Sequence, residues 1–324
     1  MLTRLKREWL AAKNTARLRI DYFAIEALFV AQRGEYFGMY RLLNPAGNGR
    51  HCDVWEAMHD GKNERFALKI IRADYRNDAV QLGLMRHEFA VGRELSHPNC
   101  ITIYEFDTSK VSPFLAMEFF ASATNLKKLI SPSSQSIGDA MPGIERIARQ
   151  IPRIIEQAAA GLAYFHQRGW IHRDIKPDNF LVNPDADVKL IDYAIADRRK
   201  GLLGRLFGKS QIAGTRSYMS PEQIRGQALD HRTDIYSFGC VMFELFSGRP
   251  PYTGNSENEL LTKHLRAPIP SAETFNKNLT YECVQLVKAM LAKEPKDRPE
   301  SMDVVLEHLR AYRVFRSMPA ARKA

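Results

Sequence analysis

The stretch "IHRDIKPDNFLV", residues 171–182, decides how this chain is read. It sets Asp174 five residues before Asn179, with Lys176 between them, and Asp192 follows thirteen residues after Asn179 in "VKLIDYAIAD". A carboxylate can accept a hydroxyl proton. An asparagine carbonyl and a second carboxylate are hard oxygen donors suited to Mg2+, and a lysine near the base can steady a transferring phosphoryl group. A plain polar turn after a helix is the other reading, but it has no need of these residue types at these spacings.

Upstream, "NPAGNGRHCDVW" (44–55) holds Gly47 and Gly49 one residue apart. Taken alone it fits a turn between strands as well as a cradle for phosphates, because glycine tolerates positive φ in turns of every kind. Lys69 stands fifteen residues after Val54, in "FALKII".

The surrounding chain is ordinary for a globular protein. It has 324 residues, 45% hydrophobic and 26% charged, enough for one large two-lobed domain or two smaller ones. Cys52, Cys100, Cys240 and Cys283 lie far apart, with no metal-ligand spacing, which points to reduced thiols and a cytoplasmic location. No apolar run reaches the roughly 18 residues of a membrane helix, and no signal sequence follows the basic start. The net charge of +10 suits a basic enzyme; without zinc-finger spacing or an aromatic RNA-binding motif, nucleic acid is not the expected partner.

Residues 1–35 read as a basic helical extension, with Leu2, Leu5, Trp9, Ala12 and Ala16 at helical spacing. Such a helix can lie on a membrane surface through residues 1–20 or pack on its own protein, where Asp21 and Glu26 favour the second. From about Tyr36 to Phe120 short runs rich in aromatic and branched residues predict an antiparallel sheet, with one helix at Ala79–Leu95. A Ser/Pro/Gly loop at 131–143 leads into helices, and Pro152 should bend or end the first of them. "HRTDIYSFGCVMFELFSG" is apolar all round and predicts a buried helix, followed by three amphipathic ones. The expected class is therefore α+β and bilobal: a β-rich lobe at 36–120, a mainly helical lobe at 121–314 and a basic tail at 315–324, with ligand between the lobes.

With these residues in place, the chain resembles the eukaryotic-type protein kinase family across about residues 37–314, with the texture of its bacterial branch. The resemblance turns the glycine stretch into an ATP phosphate loop, "GNGRHCDV" matching G-x-G-x-x-G-x-V with Cys52 at the third glycine. It implies nucleotide contacts from Gly47, Asn48, Gly49, Cys52, Val54, Ala67, Lys69, Leu181, Asn179 and Asp192. Met117 becomes the gatekeeper, and Glu118, Phe119 and Phe120 the hinge whose main chain pairs with adenine. Lys69 would hold the α- and β-phosphates, steadied by Glu88; Glu94, six residues on, falls on the far side of its helix. Asn179 and Asp192 would hold Mg2+, with Mn2+ as the substitute ion. Asp174 would orient the acceptor hydroxyl and take its proton, and Lys176 would neutralise the γ-phosphoryl group.

Lys176 two residues after Asp174, and Thr215 in "AGTRSYMSPE", match the serine/threonine pattern, so protein Ser/Thr hydroxyls, the chain's own included, are the expected acceptors. A pseudokinase scaffold is the other reading; the presence of Lys69, Glu88, Asp174, Asn179 and Asp192 together argues against it. Glu222 should pair with Arg298, and Asp234 should hold the backbone of the catalytic loop. Three departures stand out. Cys52 replaces a glycine, which predicts weaker ATP binding. Tyr193-Ala194 replaces Phe-Gly, which predicts a turn that flips out less readily. The segment after Asp192 is basic and apolar, so Arg173 and Ser210, beside the usual site near Gln211, suggest phosphate-ordered activation, and "GLLGRLF" suggests self-association or packing on its own lobe. The chain ends without the membrane helix and external sensor of many bacterial relatives, leaving the N-terminal segment, a partner or concentration as the expected input.

Overall fold

The computed structural model describes residues 31–108, 113–131, 147–198 and 215–319. Residues 1–30, expected to be a basic helix, most of the Ser/Pro/Gly loop, Ser210 and the "GLLGRLF" stretch lie outside the described residues. Residues 31–35 do not continue a helix, contrary to the expectation for 1–35: they form a turn in which Gly34 takes φ 81° and donates its N–H to Leu42 O at 2.8 Å.

The chain divides into two compact units, one formed by residues to Gly83 with Phe106–Ala116, the other by Leu84–Glu105 with the chain from Met117. In the first, β1 (Tyr36–Phe37), β2 (Tyr40–Asn48), β3 (Cys52–His59) and β4 (Glu64–Ile71) pair antiparallel in sequence order. Helix α1 (Ala79–Gly92) then crosses the division, and β5 (Ile103–Asp107) and β6 (Phe114–Glu118) complete the strand order β1-β2-β3-β4-β6-β5. The period-two pattern fixes which side is buried. Leu42, Ala57, Phe66, Leu68 and Ile70 face one way into a core with Phe37, Tyr40 and Phe114. Tyr40 meets Phe66 and Phe114 edge-on at 5.3 and 5.8 Å, the geometry aromatic quadrupoles favour.

The second unit carries β7 (Thr124–Asn125), α2 (Leu126–Ile130), α3 (Ile151–Gln167), β8 (Trp170–Ile171), β9 (Phe180–Val182), β10 (Val188–Leu190) and β11 (Asp197–Arg198). Then follow α4 (Pro221–Ile224), α5 (Arg232–Ser247), α6 (Glu257–Arg266), α7 (Tyr281–Met290) and α8 (Met302–Ala311). A turn at 148–150 ends the helical run that reaches Ile147, and Pro152 does not bend α3 but sits in its first turn, where a missing N–H costs nothing. Ser256, Thr280 and Ser301 cap α6, α7 and α8 by accepting from the N–H three residues on. Helix α5 is buried from Thr233 to Phe246 and stops at Gly248, whose φ of 76° suits a glycine C-cap. No helix among the described residues is long and apolar enough to cross a membrane.

Candidate active site

In the first unit the glycine stretch is a hairpin turn. Gly49 N–H donates to Cys52 O at 2.8 Å, and a Cβ on Gly49 would stand 2.9 Å from that oxygen. Gly47 lies opposite Val54, and Val54 opposite Lys69, so the three occupy one row across β2, β3 and β4. Residues directly opposite in an antiparallel pair share a face, and Ala67, two residues from Lys69, shares it too. That face is the one turned from the Leu68 and Ile70 core. Asn48 ends β2 and Cys52 opens β3, with the Cys52 side chain half-buried. The turn and the phosphate cradle thus need not compete: the hairpin supplies glycine main chain, and the register sets a lysine in line with it.

In the second unit "HRD" is held by one buried carboxylate. Asp234, on the first turn of α5, accepts His172 N–H at 2.7 Å, Arg173 N–H at 2.8 Å and contacts His166 Nε2 at 2.9 Å. Burial works to raise its pKa, but the hydrogen bonds and charges of His166 and His172 outweigh it and keep the group below the ordinary aspartate value. These bonds hold Arg173 at φ 70°, a left-handed conformation that costs a non-glycine residue roughly 1 kcal/mol. Gln223, which closes the capping box with Ser220 at the start of α4, adds an Nε2 bond to Arg173 O at 2.9 Å. The chain then turns and presents Asp174.

Asp174 is gripped on both oxygens. Oδ1 accepts Thr215 N–H at 3.0 Å and Thr215 Oγ1 at 3.2 Å; Oδ2 accepts Lys176 Nζ at 2.6 Å. Lys176 also donates to Thr215 Oγ1 at 2.9 Å. Asn179 donates its amide to Asp174 O at 2.8 Å and to Oδ2 at 3.3 Å. The side chains of Asp174 and Lys176 are 13% and 20% exposed, so the group is sheltered yet open on one side.

Asn179 and Asp192 fit a divalent cation. Spending the amide N–H bonds on Asp174 leaves the Asn179 side-chain oxygen as the atom that could face a cation, and Ile191 N–H donates to Asn179 O at 3.0 Å, which binds the neighbour of Asp192 to the same turn. The donor pair is two hard oxygens. The positive φ of the segment falls on Asp192, at 68°, and not on Ala194; aspartate tolerates that region well. Tyr193 is fully buried against Phe165, ring centroids 5.5 Å apart, and its hydroxyl donates toward Leu190 O at 2.8 Å and Ile101 O at 3.2 Å. Burial, chiefly, pushes that phenol far above its usual pKa, so it stays a neutral donor.

Elsewhere in this unit, Glu88 is buried on α1. Glu118 commits its N–H to Thr102 O at 2.9 Å and its carboxylate to Lys189 Nζ at 2.7 Å. Met117 and Glu118 end β6, and Leu181 lies at the centre of β9 between Asn125 and Lys189. Glu222 and Arg298 do pair, at 2.6 and 2.8 Å through both oxygens. Sequence reasoning missed three participants. Gln223 carried a local signal, the Ser-x-x-Gln capping box. Glu94, set aside as an unwanted alternative to Glu88, takes Arg198 at 3.0 and 2.7 Å and Trp170 Nε1 at 3.3 Å. Lys127 bonds Glu244, a pairing no spacing rule foretells.

A carboxylate held by a threonine and a lysine and an asparagine–aspartate oxygen pair in the one unit, and a glycine hairpin in register with a lysine in the other, are features of the protein kinase class. The chain belongs to the protein kinase family, whose domain model ("Protein kinase domain") matches residues 40–309. It is 31% identical to the serine/threonine-protein kinase PrkC of Bacillus subtilis over 82% of this chain and 39% of the relative. It is 32% identical to the probable serine/threonine-protein kinase PknB of Bifidobacterium longum over 72% of this chain and 34% of the relative. It is 31% identical to the serine/threonine-protein kinase PknB of Mycobacterium leprae over 80% of this chain and 40% of the relative. The chain thus spans about two fifths or less of the length of these bacterial relatives.

Proposed function

We propose that the chain is a serine/threonine protein kinase that moves the γ-phosphoryl group of ATP to protein Ser/Thr hydroxyls, its own among them. The observation that carries this reading is the Asp174 carboxylate, bonded on one oxygen by Thr215 and on the other by Lys176. Such a carboxylate is fixed in direction, so it can align an acceptor hydroxyl and take its proton as the oxygen attacks phosphorus. Lys176 balances its charge and stands ready for the γ-phosphoryl oxygens. The names of the relatives support the Ser/Thr assignment, as does Thr215 on the base.

Gly47, Asn48, Gly49, Cys52 and Val54 are assigned to the phosphates and Ala67, Leu181 and Met117–Phe120 to adenine. Lys69 is assigned to the α- and β-phosphates, with Glu88 as the carboxylate that orients it. On this reading residues 36–120 are the nucleotide-binding part and 121–314 the catalytic and acceptor-binding part. A divalent cation held by Asn179 and Asp192, Mg2+ with Mn2+ as substitute, neutralises phosphate charge when bound. The four free cysteines support work in the reducing cytoplasm.

The test is incubation of the purified chain with γ-labelled ATP and Mg2+, followed by phosphoamino-acid analysis of the chain and of an added acceptor protein. Label on serine or threonine that Asp174→Asn abolishes is the expected result. Label on tyrosine alone, or equal label with Asp174→Asn, overturns the assignment.

A further inference from the structure

We propose that Asp197 is a built-in counter-charge for Arg173, so that the turn offering Asp174 is held with no phosphate on the chain; this rests on the kinase function proposed above. By sequence, Arg173 is a cation that awaits a phosphorylated residue. In the structure it already has a carboxylate: Arg173 Nη1 stands 3.6 Å from Asp197 Oδ2, and the two side chains are 18% and 14% exposed. Arg173 Nε is buried without a hydrogen-bond partner among the described residues, so within them the guanidinium leans on this one carboxylate.

Asp197 reaches this place on a paired strand. β11 runs antiparallel to β8, with Asp197 opposite Ile171 and Arg198 opposite Trp170. Both neighbours of Asp197 are tied down. Ala196 O meets His87 Nε2 at 2.7 Å, and Ala196 N–H donates to Tyr193 O at 3.1 Å. Arg198 lies over the Trp170 ring, 4.6 Å from its centroid, and its Nη2 donates to both oxygens of Glu94. Asp197 Oδ1 accepts Arg198 N–H at 2.8 Å, and Oδ2 is the oxygen nearer Arg173.

Arg173 is held by its main chain as well: its N–H goes to Asp234 and its O accepts from Gln223. The ion pair fixes the remaining handle, the side chain. It therefore ties the segment that runs into Asp174 to the segment that runs on from Asp192. Charges sheltered to this degree are screened less than surface charges, and losing one partner leaves the other uncompensated. A phosphate brought to Arg173 would have to share it with Asp197, and a phosphate beside a carboxylate is repelled by like charge. Asp197 is thus a positioning residue, acting on Asp174 through Arg173.

The experiment strips the purified chain with a phosphatase, checks its mass, and follows phosphoryl transfer to an acceptor protein from the moment of mixing. It uses wild type, Asp197→Asn, Asp197→Glu, Arg173→Gln and the double variant of Arg173→Gln with Asp197→Asn. Stripped wild type should start at full rate with no lag, and preincubation with ATP should not speed it. Asp197→Asn should lower kcat about tenfold, the effect of losing one charge-assisted bond, while KM for ATP holds. Asp197→Glu restores the charge and should return kcat to within about threefold of wild type. The double variant should lose no more than the worse single one, as expected for two members of one interaction. A lag in stripped wild type that ATP preincubation abolishes overturns the proposal, and this arm needs no variant to fold. Asp197→Asn working at the wild-type rate, or Asp197→Glu no better than a folded but slow Asp197→Asn, also overturns it while the kinase reading stands. No transfer by wild type, stripped or not, overturns the kinase reading itself, and this proposal with it.

Discussion

Replacing Arg298 by methionine should cost the larger unit a large part of its stability. The Arg298 guanidinium is fully buried and spends every N–H. Nε donates to Ala292 O at 2.8 Å, Nη1 to Glu222 Oε1 at 2.6 Å and Arg232 O at 2.8 Å, and Nη2 to Glu222 Oε2 at 2.8 Å and Lys293 O at 3.1 Å. Methionine keeps the apolar stem but removes the charge and all of these donors. Glu222, 2% exposed, is left with the Thr233 hydroxyl at 2.8 Å. Breaking a buried pair in this way costs about 3–5 kcal/mol, against a total stability of about 5–15 kcal/mol for a typical domain. At about 2–4 °C per kcal/mol for a unit of this size, Tm should fall by roughly 10 °C.

The pH dependence gives an independent check. Burial raises the Glu222 pKa, but the Arg298 hydrogen bonds and charge outweigh it, and the folded value lies below the ordinary one. The stability this group contributes is therefore complete above the ordinary glutamate pKa and is lost as pH falls through the lower folded value. In Arg298→Met burial acts almost alone, so protonation relieves the variant, and the gap to wild type should narrow on acidification towards about pH 4. Urea unfolding of both proteins at a series of pH values measures this. A loss under about 1 kcal/mol at pH 7, or a gap that widens in acid, refutes the reasoning.

Other perturbations test other parts. Thr215→Ala removes a hydroxyl shared by Asp174 and Lys176, so kcat should fall by about tenfold or more while KM for ATP holds, read from steady-state kinetics. Gly49→Ala sets a Cβ 2.9 Å from Cys52 O and should raise the KM for ATP severalfold with the fold intact by circular dichroism. Tyr193→Phe deletes a hydroxyl facing two carbonyls and should cost about 1–2 kcal/mol in chemical denaturation. Burial first, and the Lys293 charge second, hold His264 down to about 4. The unfolded chain takes up a proton that the folded chain refuses, so stability should fall as pH drops from about 6.5 towards 4, and His264→Gln should flatten that limb.

What the sequence disclosed, and what it hid, follows from range. Asp174, Lys176 and Asn179 were legible because one short turn carries them, and their types are forced by the chemistry. The Glu222–Arg298 pair and the Asp234 anchor were legible through the family resemblance, although 76 and 62 residues separate the partners. The buried helix at Arg232–Ser247 announced itself by apolar residues on every side. Lys127 and Glu244 meet across 117 residues, and a lysine on a short helix gives no sign of a buried partner. Glu94 was judged by its angle from Glu88 alone, whereas its partners Trp170 and Arg198 come from the paired strands β8 and β11. The helical reading of 1–35 failed over 31–35, where Gly34, a residue that weakens helices, takes a left-handed turn conformation.

Asp234 never meets solvent, yet it dictates the direction in which Asp174 is offered. The turn that carries Asp174 is therefore a by-product of completing the interior: once α5 is seated, His172 and Arg173 have a single destination for their amide protons. On the function proposed above, damage to that helix would register in an enzyme assay as lost turnover, however distant the lesion, and a chain still assembling its interior would have no base to misuse.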